Sequence, residues 1–104
     1  MMNEMSLEGL DTKLENVTKA TAMLKMLANE NRLLCLCHLI EKPMSVGTLV
    51  DTVGISQSAM SQHLAKLRQQ GLVAAEHRGQ EVYYQIVSAE AKAIIKTLHE
   101  LYCA

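Results

Sequence analysis

The sequence predicts a mainly helical protein with one small β-hairpin, and three observations carry this prediction. Apolar residues recur at helical spacing over most of the chain, which gives each helix one face to bury. A residue able to cap a helix precedes four of these segments, at Asn29, Ser45, Ser56 and Ser88. Between residues 73 and 86 the pattern changes to β-branched and aromatic residues around Gly79. The expected order is α-α-α-α-β-β-α, with five helices.

The first two helices are predicted from their starts and their apolar spacing. Thr12-Lys13-Leu14-Glu15 has the form of a capping box, in which a hydroxyl and a carboxylate satisfy backbone N–H groups at a helix start. The first helix then continues along an apolar stripe of Leu14, Val17, Thr21, Leu24 and Ala28. Asn29 is expected to cap a second helix, which runs to about Glu41 and is closed by Pro43.

Two helices joined by a very short connection follow. Ser45 is expected to cap a third helix to Val53, Gly54 to end it and Ser56 to cap the fourth helix. So short a connection is typical of a helix-turn-helix. The apolar residues expected on the core face of this region are Ile55, Met60, Leu64 and Leu67. The polar residues left for solvent or ligand are Gln57, Ser58, Ser61, Gln62, His63 and Lys66.

A hairpin and a last helix complete the chain. Strands are expected near residues 73 to 77 and 82 to 86, around the turn Arg78-Gly79-Gln80, and form a wing beside the helix-turn-helix. Ser88 is expected to cap the last helix, whose apolar positions are Ala91, Ile94, Ile95, Leu98, Leu101 and Tyr102. They cover more than one narrow stripe, so we expect a homodimer through the first and last helices. The alternative is that the second face packs within one subunit.

Composition bounds the organisation and the compartment. A chain of 104 residues suits a single domain over 1–104, and without Phe or Trp its core must be built from aliphatic residues and Met. The sequence contains no apolar run of the ~18 residues that span a membrane and no secretory signal at its start, which predicts a cytoplasmic protein with no membrane contact. In that reducing compartment the three cysteines are expected to be packing residues, metal ligands or redox groups.

The polar face of the fourth helix and the tip of the wing predict binding to double-stranded DNA. Short Ser and Gln side chains let a helix approach the major groove, and they offer the donors and acceptors that base edges require. The net charge is only -1, so binding must depend on local basic groups, among which Arg78 at the wing tip suits a phosphate or the minor groove. The predicted DNA-binding residues are Ser56, Gln57, Ser58, Ser61, Gln62, His63, Lys66 and Arg78. A dimer of such helices predicts an inverted-repeat operator.

Two segments of the chain form a recognisable signature. They are Leu27-Ala28-Asn29-Glu30-Asn31-Arg32-Leu33-Leu34 and Ser56-Gln57-Ser58-Ala59-Met60-Ser61-Gln62-His63-Leu64. They resemble the core signature of the arsenical-repressor (ArsR) family of small winged-helix dimers, and the resemblance covers essentially the whole chain. Within the family the chain looks closest to a thiol-based branch. That narrower resemblance rests on Leu36-Cys37, Ser45-Val46-Gly47-Thr48-Leu49, Val82-Tyr83-Tyr84 and Leu98-His99-Glu100-Leu101-Tyr102-Cys103.

Metal sensing is the first alternative, because Cys35-Leu36-Cys37-His38 suggests a thiolate site. Residues two apart on a helix point roughly 200° apart, so Cys35 and Cys37 cannot bind one tetrahedral ion from a regular helix. The resemblance places the family's third-helix metal ligands at Ser45 and Gly47, neither of which is a thiolate. On the last helix, where the family's zinc sensors hold paired ligands, His99 and Glu100 are adjacent and lie on different faces. We therefore predict no metal and no other cofactor.

The resemblance implies instead that Cys37 and Cys103 form a redox-sensing pair between the second and last helices. Helical spacing predicts a buried stripe of Leu33, Leu36, Cys37 and Ile40, and a solvent stripe of Asn31, Cys35, His38 and Lys42. On the last helix Cys103 shares a polar stripe with Lys92, Lys96 and His99. Because nearby positive charge favours a thiolate, we expect Cys103 to attack and Cys37 to resolve. From the residues alone, the favoured interpretation is that Cys37 is a small packing residue and Cys103 a frayed terminal one.

The prediction is a cytoplasmic, homodimeric transcriptional repressor that senses reactive sulfur (persulfide) or oxidants through Cys37 and Cys103 and releases operator DNA when the pair is bridged. The alternatives are a metal-responsive repressor for zinc or arsenite, and a non-sensing DNA-binding protein that displaces another protein from DNA. An enzyme is not expected, because the sequence contains no Cys-x-x-Cys motif, no Gly-rich phosphate loop and no set resembling a catalytic triad.

Overall fold

The computed structural model describes residues 13–103, and this part of the chain has the predicted mainly helical architecture with a hairpin. Its five helices are α1 (Leu14–Leu27), α2 (Glu30–Leu39), α3 (Val46–Val53), α4 (Gln57–Gln69) and α5 (Ala89–Tyr102). Its strands are β1 (Met44–Ser45), β2 (Val73–Arg78) and β3 (Glu81–Ile86). No helix among these residues is long and apolar enough to cross a membrane.

Four helices begin at the predicted caps. The side-chain oxygens of Asn29, Ser45, Ser56 and Ser88 each accept a hydrogen bond from the backbone N–H three residues later, at 3.0 to 3.1 Å. Each bond satisfies one of the N–H groups that a helix start leaves without a helical partner. The start of α1 differs from the prediction: its N-cap is Lys13, whose side chain forms no capping bond. Thr12 of the proposed capping box lies outside the described residues.

The sheet has three antiparallel strands in the order β1-β3-β2. In the hairpin, Val73 pairs with Ile86 and Arg78 with Glu81, so each strand is one residue longer at the turn than predicted. Gly79 adopts a φ of 63° in that turn, a left-handed conformation that glycine tolerates without steric cost. The third strand was not predicted, because the pair Met44–Ser45 is too short to show any periodicity.

The core lies where the helices meet the sheet, and it is aliphatic with one central methionine. Leu36, Leu49, Met60, Leu64, Leu67 and Ile95 are fully buried within it. Several large apolar side chains remain outside this core, and most of them belong to α1 and α5. They include Leu14, Val17, Leu24, Leu101 and Tyr102, with Leu101 69% and Tyr102 82% exposed.

The predicted orientation of α2 is wrong. The buried residues of this helix are Arg32, Cys35, Leu36 and Leu39. Cys35 is therefore in the core and Cys37 is half-buried, the reverse of the predicted order. The error arose at Arg32, because a charged residue was not counted among those that define the buried face. The helix also ends at Leu39, two residues before the predicted Glu41.

Candidate nucleic-acid interface and dithiol groove

Helix α4 presents a polar surface opposite a buried apolar one. Met60, Leu64 and Leu67 are inaccessible to solvent and fix the rotation of the helix. That rotation leaves most of the predicted DNA-binding residues exposed, namely Ser56, Gln57, Ser58, Ser61, Gln62 and Lys66. Ser56 uses its hydroxyl to accept from Ala59 N at 3.1 Å, so it acts first as the cap that starts the helix.

The turn between α3 and α4 depends on Gly54. Its φ of 82° is left-handed, and its N–H donates to Val50 O at 2.9 Å to close α3. This reversal brings the start of α4 beside the wing. A polar groove of about 600 Å³ lies between them, lined by Gln57 and Ser61 of α4 and by Gln80 and Tyr84 of the hairpin, among others. The helix-turn-helix and the wing therefore present one continuous concave surface.

Arg78 of the wing is held by two neighbours that were not predicted from the sequence. Its Nε and Nη2 each lie 3.0 Å from Glu76 Oε1, and its guanidinium carbon lies 4.4 Å from the centre of the Tyr83 ring. Glu76 is paired with Tyr83 across the hairpin, and Arg78 is two residues further along the same face. Because side chains alternate between the two faces of a strand, the sequence places Glu76 and Arg78 on the same face, but the pairing with Tyr83 requires the register of the hairpin. The arrangement orders an exposed arginine on the wing.

His63 does not face solvent as predicted. It is half-buried, and its Nδ1 lies 3.5 Å from Nη1 of Arg32 on α2. Burial lowers the pKa of His63, and the positive charges of Arg32 and Lys66 lower it further. Of the predicted DNA-binding side chains on α4, it is the one held by another helix. Arg32 was not predicted as a functional residue, although it lies within the family signature Leu27–Leu34 and is a charged residue at a buried position of α2.

Cys37 and Cys103 line the same groove, which has a volume of about 630 Å³ and lies between α2 and α5. Cys37 is half-buried, whereas Cys103 is exposed at the end of α5, where its N–H donates to His99 O at 2.8 Å. Lys96 and His99, two of the three residues predicted to share a polar stripe with Cys103, also line the groove. Its other walls are Leu34, His38, Ile40, Glu41, Ile95 and Glu100. Burial raises the pKa of Cys37, and the neighbouring Cys103 raises it further. Both thiols are free.

Cys35 belongs to the core and is separate from this groove. Its side chain is inaccessible, and burial raises the pKa of its thiol to about 12. Thiols react as thiolates, so Cys35 is shielded both sterically and by its ionisation. Among residues 13–103, no group of three or more His, Cys, Asp or Glu side chains is arranged to hold a metal ion.

The location of Cys35 changes what its substitution should do. Replacing it by Ser places a hydroxyl in an apolar core, and we expect the free energy of unfolding to fall by about 1–3 kcal/mol. The response of DNA binding to an oxidant should persist. Urea denaturation measures the first effect and DNA binding the second; Cys35→Ala, which adds no polar group, is the matched control. Unchanged stability in Cys35→Ser would contradict the buried position.

An exposed polar helix, a turn closed by glycine and a hairpin wing that carries Arg78 define a DNA-binding protein of the winged helix-turn-helix class. Residues 29–75 match the family model described as bacterial regulatory protein, arsR family. Over 89 residues the chain is 49% identical to the transcriptional activator HlyU of Vibrio cholerae serotype O1, an alignment covering 86% of this chain and 82% of that protein. The chain belongs to the ArsR family of transcriptional regulators. The predictions of the family, and of a regulator instead of an enzyme, are confirmed.

Other comparisons agree. The biofilm growth-associated repressor of Xylella fastidiosa is 34% identical over 82 residues, covering 79% of this chain and 72% of that protein. The structure of reduced HlyU from Vibrio cholerae superposes with a TM-score of 0.84 at 49% identity, covering 86% of this chain and 95% of that one. A homodimeric winged helix-turn-helix DNA-binding domain from Mycobacterium bovis superposes with a TM-score of 0.76 at 24% identity, covering 97% of this chain and 89% of that one. This last likeness concerns the fold alone.

Proposed function

We propose that the protein is a cytoplasmic, homodimeric transcriptional repressor that releases its operator when Cys37 and Cys103 become bridged. The observation that carries the proposal is the shared groove, in which an exposed thiol and a half-buried thiol lie beside Lys96 and His99. A sensor needs one thiol that meets the inducer and a second that captures the product. The groove offers both roles next to each other.

The DNA-binding half of the proposal rests on α4 and the wing. Gln57, Ser61 and Gln62 are exposed on the helix that would enter the major groove, where amides and hydroxyls can pair with base edges. Lys66 and Arg78 supply positive charge for phosphates. Because Arg78 is already ordered by Glu76 and Tyr83, less side-chain freedom remains to be lost when the wing meets DNA.

The dimer half rests on the apolar residues that each subunit leaves outside its core. Leu14, Val17 and Leu24 of α1 and Leu101 and Tyr102 of α5 are exposed, and a second copy would bury them. The Mycobacterium bovis neighbour, which shares the fold, is itself described as homodimeric. Two copies of α4, the recognition helix of each subunit, related by a dimer axis would address an inverted repeat with half-site centres ~10 bp apart.

The proposed chemistry begins at Cys103. Its thiolate attacks the terminal sulfur of a persulfide, RSSH, forms Cys103-S-SH and expels RSH. The thiolate of Cys37 then attacks the γ-sulfur of Cys103, forms the disulfide and expels hydrogen sulfide. The dithiol loses two electrons, and the sulfur atom transferred from the persulfide gains them. A second persulfide can instead leave one sulfur atom between the cysteines, giving a trisulfide with two RSH and one hydrogen sulfide.

The bridge would act on DNA through α5. Linking its end to α2 changes the position of a helix that is also proposed to build the dimer interface. The spacing of the two α4 helices then departs from the spacing that B-form DNA imposes. A useful switch needs a difference of only about 1–3 kcal/mol in DNA affinity between the two states.

The proposal is tested by following sulfur chemistry and DNA release in the same sample. We expect persulfide to add a Cys37–Cys103 linkage, seen by mass spectrometry, in proportion to the loss of binding to an operator duplex. Peroxide in a parallel series distinguishes reactive sulfur from general oxidants. Release by zinc or arsenite without any covalent change would contradict the proposal.

Base reading by α4 makes a separate prediction. Gln62→Ala removes an exposed amide, and we expect about 5- to 150-fold weaker binding to the operator with little change on random DNA, since a base contact contributes about 1–3 kcal/mol. Fluorescence anisotropy with the two duplexes measures the difference. Arg78→Ala is the matched comparison. It should weaken binding to both the operator and random DNA, and it should reduce the salt dependence of that binding. Equal losses on both duplexes in Gln62→Ala would exclude this residue from base reading.

A further inference from the structure

Arg32 is a buried cation for which the proposed function so far has no use. It is the third residue of α2 and is 9% exposed. A guanidinium donates up to five hydrogen bonds, accepts none and stays charged, so burial requires acceptors around it. The structure supplies these acceptors from two other helices, the end of α1 and the middle of α4.

At the end of α1, Arg32 replaces the missing helical partners. Asn29 N donates to Leu27 O at 2.9 Å, so it does not continue the helical pattern to Lys25 O. Arg32 Nη2 donates to Lys25 O at 3.2 Å and Nε donates to Met26 O at 2.8 Å. A cation is also favourable here, because the carbonyl end of a helix carries partial negative charge. These two bonds fix the plane of the guanidinium.

The remaining edge of that plane faces the recognition helix. Arg32 Nη1 lies 3.5 Å from Nδ1 of His63. Since arginine can only donate, the favourable arrangement has a lone pair on Nδ1, and a neutral ring then carries its proton on Nε2. The charged groups facing this ring are Arg32 from α2 and Lys66 from α4, both positive, and together with burial they lower the pKa of His63.

We propose that Arg32 positions His63 for DNA recognition by holding its ring with Nδ1 as acceptor and Nε2–H as an outward hydrogen-bond donor. His63 then contacts DNA through a neutral ring, whose Nε2–H donates a hydrogen bond to an acceptor atom, instead of through a positive charge. The same arginine ties α4 to the last turn of α1, a helix assigned above to the dimer interface. The inference rests on the proposed reading of DNA by α4.

The tautomer can be measured without DNA. In long-range ¹H–¹⁵N spectra of the free wild-type protein, with His63 assigned through His63→Gln, we expect an unprotonated Nδ1 and a protonated Nε2. Arg32→Met should populate both tautomers and raise the pKa of His63, because one facing positive charge is removed. A residue that only supported the fold would leave both signals unchanged. If Arg32→Met fails to fold, the proposal is still tested by the tautomer of His63 in the wild-type spectrum and by the DNA affinities of the His63 variants.

Two substitutions at position 63 separate the ring nitrogens in DNA binding. The amide of His63→Gln falls near the place of Nε2, and that of His63→Asn near the place of Nδ1. On a duplex selected by the wild type from a random-sequence library, we expect His63→Gln to bind within about threefold of wild type and His63→Asn about tenfold more weakly.

The outcomes distinguish this inference from the function on which it rests. A wild-type ring with its proton on Nδ1, or a ring charged at neutral pH, would overturn the positioning role. Equal affinities of His63→Asn and wild type would overturn the use of Nε2–H on DNA. Failure of the wild type to select any duplex would count against the proposed function, while the tautomer measurement would still stand.

Discussion

The Cys103→Ser protein is expected to bind its operator as tightly as reduced wild type and to keep that affinity after persulfide treatment. Under the same treatment the wild type should lose about 10-fold or more in affinity, within the usual range of allosteric coupling. The reason is geometric: Cys103 is the exposed thiol of the groove, and without it Cys37 has no bridging partner there. Anisotropy before and after a stoichiometric dose of persulfide measures both values.

Two further variants serve as controls for this experiment. Cys37→Ser should also ignore the inducer, whereas Cys35→Ala should respond like wild type, because Cys35 lies in the core and outside the groove. Mass spectrometry of each sample then links release to the bridge. The dithiol mechanism is wrong if Cys103→Ser still leaves DNA after the same dose.

Leu64→Ala is expected to lower the free energy of unfolding by about 2–5 kcal/mol, a large share of the ~5–15 kcal/mol that such domains possess. Leu64 is inaccessible and holds the buried face of α4 against the core. The substitution leaves a cavity and loosens the helix that carries the DNA-binding side chains. Urea denaturation followed by circular dichroism, at several protein concentrations, measures the loss.

The same chemical change at Leu101 is the matched control. Leu101 is 69% exposed in the subunit, so Leu101→Ala should leave the free energy of unfolding of the isolated subunit within about 0.5 kcal/mol of the wild-type value. It should instead weaken the dimer, which sedimentation measures directly. Equal destabilisation by the two substitutions at every concentration would be incompatible with a partner surface on α5.

The features predicted correctly depend on contacts between residues only a few positions apart in the chain. The four caps at Asn29, Ser45, Ser56 and Ser88 were predictable because the side chain bonds a backbone N–H three residues away. The left-handed Gly54 and the hairpin around Gly79 are equally local. The apolar face of α4 followed from its spacing, and the exposure of Gln57, Ser61 and Gln62 followed from that face.

Other features depended on residues far apart in the chain. Strand β1 exists only because Met44 and Ser45 meet Tyr84 and Tyr83 of β3. The orientation of α2 was mispredicted because Arg32 is buried, where it donates hydrogen bonds to backbone carbonyls of α1. The spacing of apolar residues within α2 carries no information about these carbonyls.

By itself the sequence determined the order of the elements, the caps, the polar face of the recognition helix and the membership of the ArsR family, since these follow from local bonding, periodicity and motif. Only the tertiary structure decided which thiol is buried, that Cys37 and Cys103 share a groove, and that Arg32 contacts His63. These outcomes depend on how helices rotate against one another to fill a core. That rotation is set by the packing of all the helices together, which the spacing within one helix does not specify.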